Sequence, residues 1–143
     1  MAQDWDPRGV DGMSYVRERA NAGELAQRMG IEFVEFTVDR AVARMPVHGN
    51  RQPILVLHGG AYVVLGETLG SMMANLWAGP DQVAVGVDIN ATHTHSAREG
   101  FVTGVSTPIH LGKRITVHEI VVSDEAGKRC STVRITNQII PAR

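Results

Sequence analysis

A single acid in an apolar helix is the first candidate for chemistry in this sequence. The stretch 58–78 begins with His58, Gly59 and Gly60, and after His58 its one side chain that is charged at neutral pH is Glu67. A glutamate in such a helix is seldom fully buried without a partner. We therefore expect Glu67 to face a cleft, a ligand or an interface. The structural alternative to a catalytic role is an ion pair with an arginine across an interface.

The helix that carries this acid is predicted to lie at the centre of the fold. Four apolar side chains recur at helical spacing and form one stripe: Leu65, Leu69, Met72 and Leu76. Glu67 and Ser71 lie on the opposite side. Because apolar or small residues cover nearly the whole circumference, we expect the helix to be buried all round. Gly66 and Gly70 are expected to serve close packing.

The elements around this helix predict an α+β fold. Residues 11–29 read as helix, interrupted near Asn21 and Gly23, and six segments read as strands: 31–39, 41–47, 82–92, 100–108, 114–123 and 129–139. The last two strands are expected to form a hairpin. This order favours an antiparallel sheet wrapped around one long helix. We expect one domain overall, with a lead-in and helical segment at 1–30 and the main body at 31–143.

Composition excludes several classes of protein. The 143 residues are 43% hydrophobic and 20% charged, with a formal net charge of −1, which argues against general attraction to nucleic acid or membrane. No apolar run reaches the roughly 18 residues of a membrane span. The polar N-terminus is no secretory signal, so a cytoplasmic protein is expected. Cys130 is the only cysteine, and the histidines lack a ligand pattern, so no metal and no cofactor are expected.

Four motifs carry a resemblance to a known family. They are QP-x4-HGG-x6-E-x3-S at 52–71, INATH at 89–93, SAREG at 96–100 and PIHLGK at 108–113. With these motifs, the chain resembles hotdog-fold acyl-CoA thioesterases of the phenylacetate-pathway and 4-hydroxybenzoyl-CoA type. It is most similar to the small thioesterases of enterobactin proofreading and menaquinone synthesis. The resemblance covers about residues 20–140 and implies the hotdog fold.

The resemblance also implies roles at the reacting centre. Glu67 matches the catalytic carboxylate, which acts as nucleophile or as general base toward water. Gly59 matches the glycine whose N–H polarises the thioester carbonyl, and Gln52 and His58 match side chains that position thioester and water. Ser71 matches the hydroxyl one turn after the acid. From the residues alone, His58 could equally be an N-terminal helix residue, and Ser71 a hydroxyl bonded to the backbone.

Substrate binding is assigned to a second set of residues. By resemblance, His93 lies near the acyl group, while Gly60 lets the ligand approach the backbone closely. Lys113 and Arg114 follow the HLG segment and are our candidates for the coenzyme A phosphates, although such residues are most often solvated surface charge. Tyr62, Thr94 and His95 depart from the residues usual in the family, which bears on acyl specificity.

General chemistry agrees with a hydrolase. A thioester carbonyl develops negative charge during acyl transfer, and the N–H groups at a helix start can stabilise that charge. The resemblance, through SAREG in particular, implies an acyl-CoA or acyl-carrier thioester as substrate, with an aromatic acyl group such as 1,4-dihydroxy-2-naphthoyl or hydroxybenzoyl. Two alternatives stay open: an enoyl-thioester hydratase, and a non-catalytic acyl-CoA-binding module, which would not need Glu67.

Helix geometry predicts that two chains share each site. Gly59 and Glu67 are eight residues apart, which is about 12 Å along a helix at 1.5 Å per residue. A reacting carbonyl needs both groups within roughly 3–3.5 Å. Two antiparallel helices about a two-fold axis can supply Gly59 from one chain and Glu67 from the other. We therefore expect a homodimer with shared sites. The resemblance further implies that such dimers assemble as a dimer-of-dimers tetramer.

Overall fold

The computed structural model describes residues 4–143, which contain three α-helices and six β-strands. The helices are α1 (Gly12–Glu18), α2 (Glu24–Arg28) and α3 (Gly59–Ala78). The strands are β1 (Glu32–Phe36), β2 (Ala41–Pro46), β3 (Gln82–His93), β4 (Phe101–Leu111), β5 (Ile115–Ser123) and β6 (Arg129–Pro141). Short 3₁₀ turns cover Pro7–Gly9 and Ala20–Ala22.

All six strands form one antiparallel sheet around α3. Their order is β1-β2-β4-β5-β6-β3, so β3 lies at an edge although it follows α3 directly in the chain. The β5–β6 hairpin predicted from the sequence is confirmed, and so is the α+β architecture with its antiparallel sheet. The predicted first strand is too long, because the Thr37 N–H donates to the Arg40 carbonyl and closes a turn after Phe36.

The inner face of α3 packs closely against the sheet. Leu65, Leu69 and Met73 are fully buried. The prediction that placed Met72 in this stripe is wrong: Met72 is only partly buried, because a four-residue step from Leu69 reaches Met73 instead. A Cβ at Gly66 would lie 2.6 Å from Val133 Cγ1. That contact agrees with the packing role expected for the glycine.

The outer face of α3 is only partly covered, which corrects the expectation of a helix buried all round. Glu67 is exposed in the single chain, and Ser71 is half-buried. The reason is that the sheet covers one side of the helix, whereas the short helix α2 packs on part of the other. The outer face therefore remains available for a ligand or a second chain.

The N-terminal segment belongs to the same hydrophobic core. Tyr15 and Val16 of α1 and Ala26 of α2 are buried in it, and the Tyr15 ring stacks on Phe36 at 5.8 Å. The Trp5 indole donates to the Leu76 carbonyl at 3.0 Å, close to the C-terminal end of α3. These contacts fix α1 and α2 relative to the central helix.

Candidate active site

The N-terminal end of α3 presents a backbone donor. The Nδ1 atom of His58 accepts a hydrogen bond from the Gly60 N–H at 2.9 Å, so His58 is the N-cap of the helix. The N–H of Gly59 forms no hydrogen bond within residues 4–143. The first N–H groups of a helix lack intrahelical partners and carry partial positive charge. Gly59 is therefore placed to donate to a developing oxyanion.

A polar cavity of about 320 Å³ opens beside this donor. Gln52, Gly59 and His93 line it together with Tyr62 and a run of polar residues after β3: Thr94, His95 and Ser96. We call it the carbonyl cavity. Three of the residues predicted from the sequence thus meet here, although His93 is far from the other two along the chain.

The loop before α3 places Gln52 at this cavity. The Gln52 N–H donates to the Val56 carbonyl at 2.9 Å, and the Leu55 N–H donates back to the Gln52 carbonyl at 2.9 Å. Leu55 has a φ of 62°, which L-residues with side chains rarely adopt. This tight turn orients Gln52 toward the helix start.

The His93 ring is held from two sides. Its Nδ1 atom lies 2.9 Å from the Ser131 hydroxyl, and the ring packs on Tyr62 with 5.0 Å between centroids. A Cβ at Gly59 would lie 3.0 Å from His93 Nε2, so only glycine fits against the imidazole without displacing it. Burial, together with the nearby Cys130 thiol, raises the pKa of Tyr62 to about 12, so its hydroxyl stays protonated.

Glu67 lies in a different cavity. Its volume is about 370 Å³, and it is lined by Glu67, Thr68 and Ser71 and by apolar side chains from α2 and α3 that include Leu25, Val64 and Met72. We call it the acid cavity. Glu67 forms no ion pair within residues 4–143. The single chain therefore offers no arginine partner for this carboxylate.

A β-bulge brings the edge strand β3 against the carboxylate. The pairing of β3 with β6 shifts between Gly86 and Asp88. A Cβ at Gly86 would lie 3.2 Å from Glu67 Oε1, and Gly86 also lines a further cavity with Glu67. The absence of a side chain at position 86 therefore leaves room for the acid.

Ser71 is held by a side chain rather than by the backbone. Its hydroxyl accepts a hydrogen bond from Asn137 Nδ2 at 3.1 Å. Asn137 is fully buried. Several buried polar atoms on β4, β5 and β6 have no hydrogen-bond partner within residues 4–143: Asn137 Oδ1, Thr116 Oγ1, Ser106 Oγ and both ring nitrogens of His118. Ser71 is thus fixed one turn after Glu67.

The two predicted phosphate ligands lie elsewhere. Lys113 lines a cavity with Trp77 near the C-terminal end of α3, and Arg114 lies directly before β5. Trp77 is 18 residues from Gly59, about 27 Å along the helix. One chain does not bring Lys113 and Arg114 to the carbonyl cavity.

Three further histidines differ in their environments, and His95 among them lines the carbonyl cavity. His95 Nε2 pairs with Asp124 at 3.3 Å, His118 is fully buried, and His110 is exposed. Within residues 4–143 no group of three or more His, Cys, Asp or Glu side chains is arranged to hold a metal ion. None of the helices in that range combines the length and the apolar character needed to cross a membrane.

Comparison with known proteins places this chain. It matches the thioesterase superfamily over residues 56–131. The 1,4-dihydroxy-2-naphthoyl-CoA hydrolase of Escherichia coli is 43% identical over 119 residues, covering 82% of this chain and 88% of the relative. The proofreading thioesterase EntH of Cronobacter turicensis is 40% identical over 121 residues, covering 84% and 88%. The chain belongs to the thioesterase superfamily, and it is a thioester hydrolase.

Solved structures give the same fold. A thioesterase from Haemophilus influenzae superposes with a TM-score of 0.85 at 36% identity, covering 96% of this chain and 95% of that one. The PaaI protein of Escherichia coli, at 19% identity, has a TM-score of 0.81 over 91% of this chain and 94% of its own. The hotdog fold expected from the motifs is confirmed.

Several residues at the two cavities escaped the sequence analysis. Gly86 lies beside Glu67 only because of the bulge in β3, and Asn137 reaches Ser71 from the far end of β6. Leu25 lines the acid cavity from α2. None of these residues stands in a recognisable motif. Sheet register and the turn at 20–22 bring them to the site.

Proposed function

We propose that this protein hydrolyses an aromatic acyl-CoA thioester to the free acid and coenzyme A, at sites shared between two subunits. Glu67 is the catalytic carboxylate, and the Gly59 N–H stabilises the oxyanion. At the level of the family, the activity is hydrolysis of acyl-CoA-type thioesters. The observation that carries the proposal is the free backbone donor of Gly59, beside a polar cavity at the start of the helix that also bears Glu67.

The reaction needs few parts. The thioester carbonyl oxygen takes the Gly59 hydrogen bond, which stabilises the charge that develops as the carbonyl carbon is attacked. Glu67 either attacks that carbon itself, forming an anhydride that water then opens, or removes a proton from an attacking water. Collapse breaks the carbon–sulfur bond, and coenzyme A leaves as a thiolate that is protonated in solution. Water supplies the new acid oxygen in both routes.

The position of His58 supports hydrolysis over hydration of a double bond. Its Nδ1 atom is occupied by the Gly60 N–H, so the imidazole caps the helix. A shared site that joins Gly59 of one chain to Glu67 of the other would also bring His58 near that acid, so separation along one helix does not exclude a hydratase. A His58–Glu67 pair is disfavoured because the cap bond engages His58 Nδ1.

The edge strand supports a dimer. β3 is 12 residues long and exposes Val85 and Val87, and within residues 4–143 it pairs only with β6. A long edge with unpaired backbone groups and apolar side chains is a ready template for a second strand. Pairing of two β3 edges about a two-fold axis would set the outer faces of two α3 helices close together. Glu67 would lie next to the paired edges, because its carboxylate is close to Gly86 of β3. The tetramer and the cytoplasmic location expected from the sequence stay predictions.

The acyl group is inferred from the acid cavity and from a relative. Apolar side chains and the hydroxyl-bearing residues Thr68 and Ser71 line the cavity with Glu67. Such a lining suits an aromatic ring that carries hydroxyl groups. The Escherichia coli relative is named for 1,4-dihydroxy-2-naphthoyl-CoA, and we assign the same class, with hydroxybenzoyl thioesters beside it.

A hydrolysis screen tests the activity. Aryl-, short-, medium- and long-chain acyl-CoAs are supplied to the purified protein, and free thiol is measured. The expected profile is highest for hydroxylated aryl thioesters, and acyl-carrier thioesters run in parallel separate the two carriers. A flat profile near zero across all substrates would overturn the enzyme assignment.

Subunit mixing tests the shared site. Gln52→Ala and Glu67→Ala homodimers should each be defective at both sites. When they are unfolded together in equal amounts and refolded, half of the dimers are mixed, and each mixed dimer has one intact site. Activity should then return to about a quarter of wild type, because half of the dimers are mixed and each of these has one of its two sites intact. No recovery despite proven subunit exchange would place the whole site within one chain.

A further inference from the structure

One wall of the acid cavity comes from the N-terminal helical segment rather than from α3. Ala22, Leu25 and Ala26 form this wall, which we call the N-terminal wall. The match to the thioesterase superfamily spans residues 56–131. The N-terminal wall and Glu67 nevertheless line one and the same cavity.

The backbone that leads into the wall has an uncommon conformation. Ala20, Asn21 and Ala22 have φ angles of 50°, 49° and 69°. L-residues with side chains rarely adopt positive φ, and runs of them are disfavoured more strongly. Such conformations persist where the surrounding structure over-determines them, often next to a bound ligand.

Three anchors hold the segment in place. Gln27 Nε2 donates to the Ala20 carbonyl at 2.6 Å and closes the turn. Ala26 is buried in the main core. Asn50 Nδ2 donates to the Met29 carbonyl at 2.8 Å and to the Pro46 carbonyl at 2.9 Å, tying the end of α2 to β2. The N-terminal wall is therefore a fixed surface.

Leu25 is the side chain of this wall that a ligand would cover. It is 57% exposed although it lines a cavity. An apolar side chain in that position gains free energy when an apolar group displaces its water. Val64 and Met72 of α3 complete an apolar lining around it, and Glu67 marks the reacting end.

We propose that Leu25 contacts the acyl group and sets the width of the acyl group that can reach Glu67. The inference rests on the proposed function and deepens it: the ligand class is a broad, apolar aryl group, admitted by a wall that lies N-terminal to residues 56–131. Leu25 is a specificity residue, and Glu67 performs the same chemistry whatever occupies position 25.

Two substitutions of opposite size test the wall. The quantity compared is kcat/KM for 1-naphthoyl-CoA divided by kcat/KM for acetyl-CoA. Leu25→Trp should narrow the cavity and lower this ratio about tenfold, whereas Leu25→Ala should raise it a few-fold. Changes of this size are usual for apolar pockets. Val34 is the matched control, since it is 59% exposed on β1 and lines neither cavity. Val34→Trp and Val34→Ala should leave the ratio unchanged.

A binding measurement separates failure of the wall from failure of the proposed function. The same Leu25 and Val34 substitutions are made in Glu67→Ala protein, and Kd for both thioesters is measured by calorimetry. The role of Leu25 is supported if Leu25→Trp weakens the binding of naphthoyl-CoA about tenfold relative to that of acetyl-CoA. This result would support the role of Leu25 even if the wild-type protein hydrolysed neither thioester. An unchanged ratio in both kcat/KM and Kd overturns the wall and leaves the hydrolase assignment standing.

Discussion

The two faces of α3 use the same backbone for opposite purposes. On the inner face, a Cβ at Gly70 would lie 2.4 Å from Ile135 Cγ2, so the helix touches the sheet with no space to spare. On the outer face, Glu67 and Ser71 line an open cavity of about 370 Å³. One face is closed around apolar side chains, and the other keeps polar groups accessible.

The difference shows how a small fold separates stability from chemistry. Inner-face residues contribute through close packing, so changing their volume should alter the free energy of unfolding. Outer-face residues have few packing partners within the chain, so changing them should alter the reaction.

Replacing the outer-face acid should give the largest effect. Glu67→Ala should lower kcat by roughly 10³-fold, because α3 carries no second carboxylate that could act as nucleophile or base. Its melting temperature should stay level or rise, since an exposed acid without an ion pair is removed. Hydrolysis by thiol release and thermal unfolding are measured on the same preparation.

The matched control is on the inner face of the same helix. Gly70→Ala should show the opposite pattern: a loss of about 1–3 kcal/mol in stability from overpacking against Ile135, with kcat retained in the folded fraction. A destabilised Glu67→Ala protein that still hydrolyses substrate would mean that the acid is structural.

The buried His118, which lies against the inner face of α3 near Gly70, should make the stability of the protein depend on pH. Burial lowers the pKa of His118 to about 4, against an ordinary value near 6.5. Between these values the unfolded chain binds the proton and the folded chain does not, so stability falls as the pH drops from about 6.5 toward 4. The expected loss between pH 7.5 and pH 5 is about 2 kcal/mol, measured by urea unfolding at each pH.

Two comparisons assign that loss to His118. His110 is exposed, so His110→Gln should keep the full pH dependence, whereas His118→Leu should flatten it. If His118→Leu does not fold, the ring of His118 is followed by NMR in the wild-type protein. A ring that becomes charged at pH 6 in the folded state would show that burial does not suppress its protonation.

Much of this fold could be read from the sequence because the local signals agree. The period of two in the strands and the Gly79-Pro80 stop after α3 point to the same architecture. The approach of Gln52 to Gly59 was also accessible, since only a short loop separates them. Met72 was misassigned because steps of three and four residues are both helical, and only the contacts with the sheet decide between them.

The surroundings of Glu67 could not be read in the same way. Asn21 and Gly23 indicate a break in the helix, but the residue types of Ala20 and Ala22 do not predict their positive φ angles. The position of Leu25 after this turn could therefore not be predicted. The bulge at Gly86 depends on the register between β3 and β6. Contacts of this kind come from tertiary structure, and they surround the acid more closely than any motif does.

The smallest predicted effect concerns Gly86, where the edge strand meets the outer face of α3. Its φ is not positive, so alanine fits the backbone, but the new Cβ would lie 3.2 Å from Glu67 Oε1 and would push the carboxylate aside by a few tenths of an ångström. Gly86→Ala should lower kcat several-fold, since displacing a catalytic group slightly weakens the reaction without removing it. Val85→Ala on the same strand is the control and should keep kcat near wild type, with the assembly of both variants checked by light scattering. Equal losses in both variants would trace the effect to the β3 edge, whereas an unchanged kcat for Gly86→Ala would show that Glu67 tolerates displacement on this side.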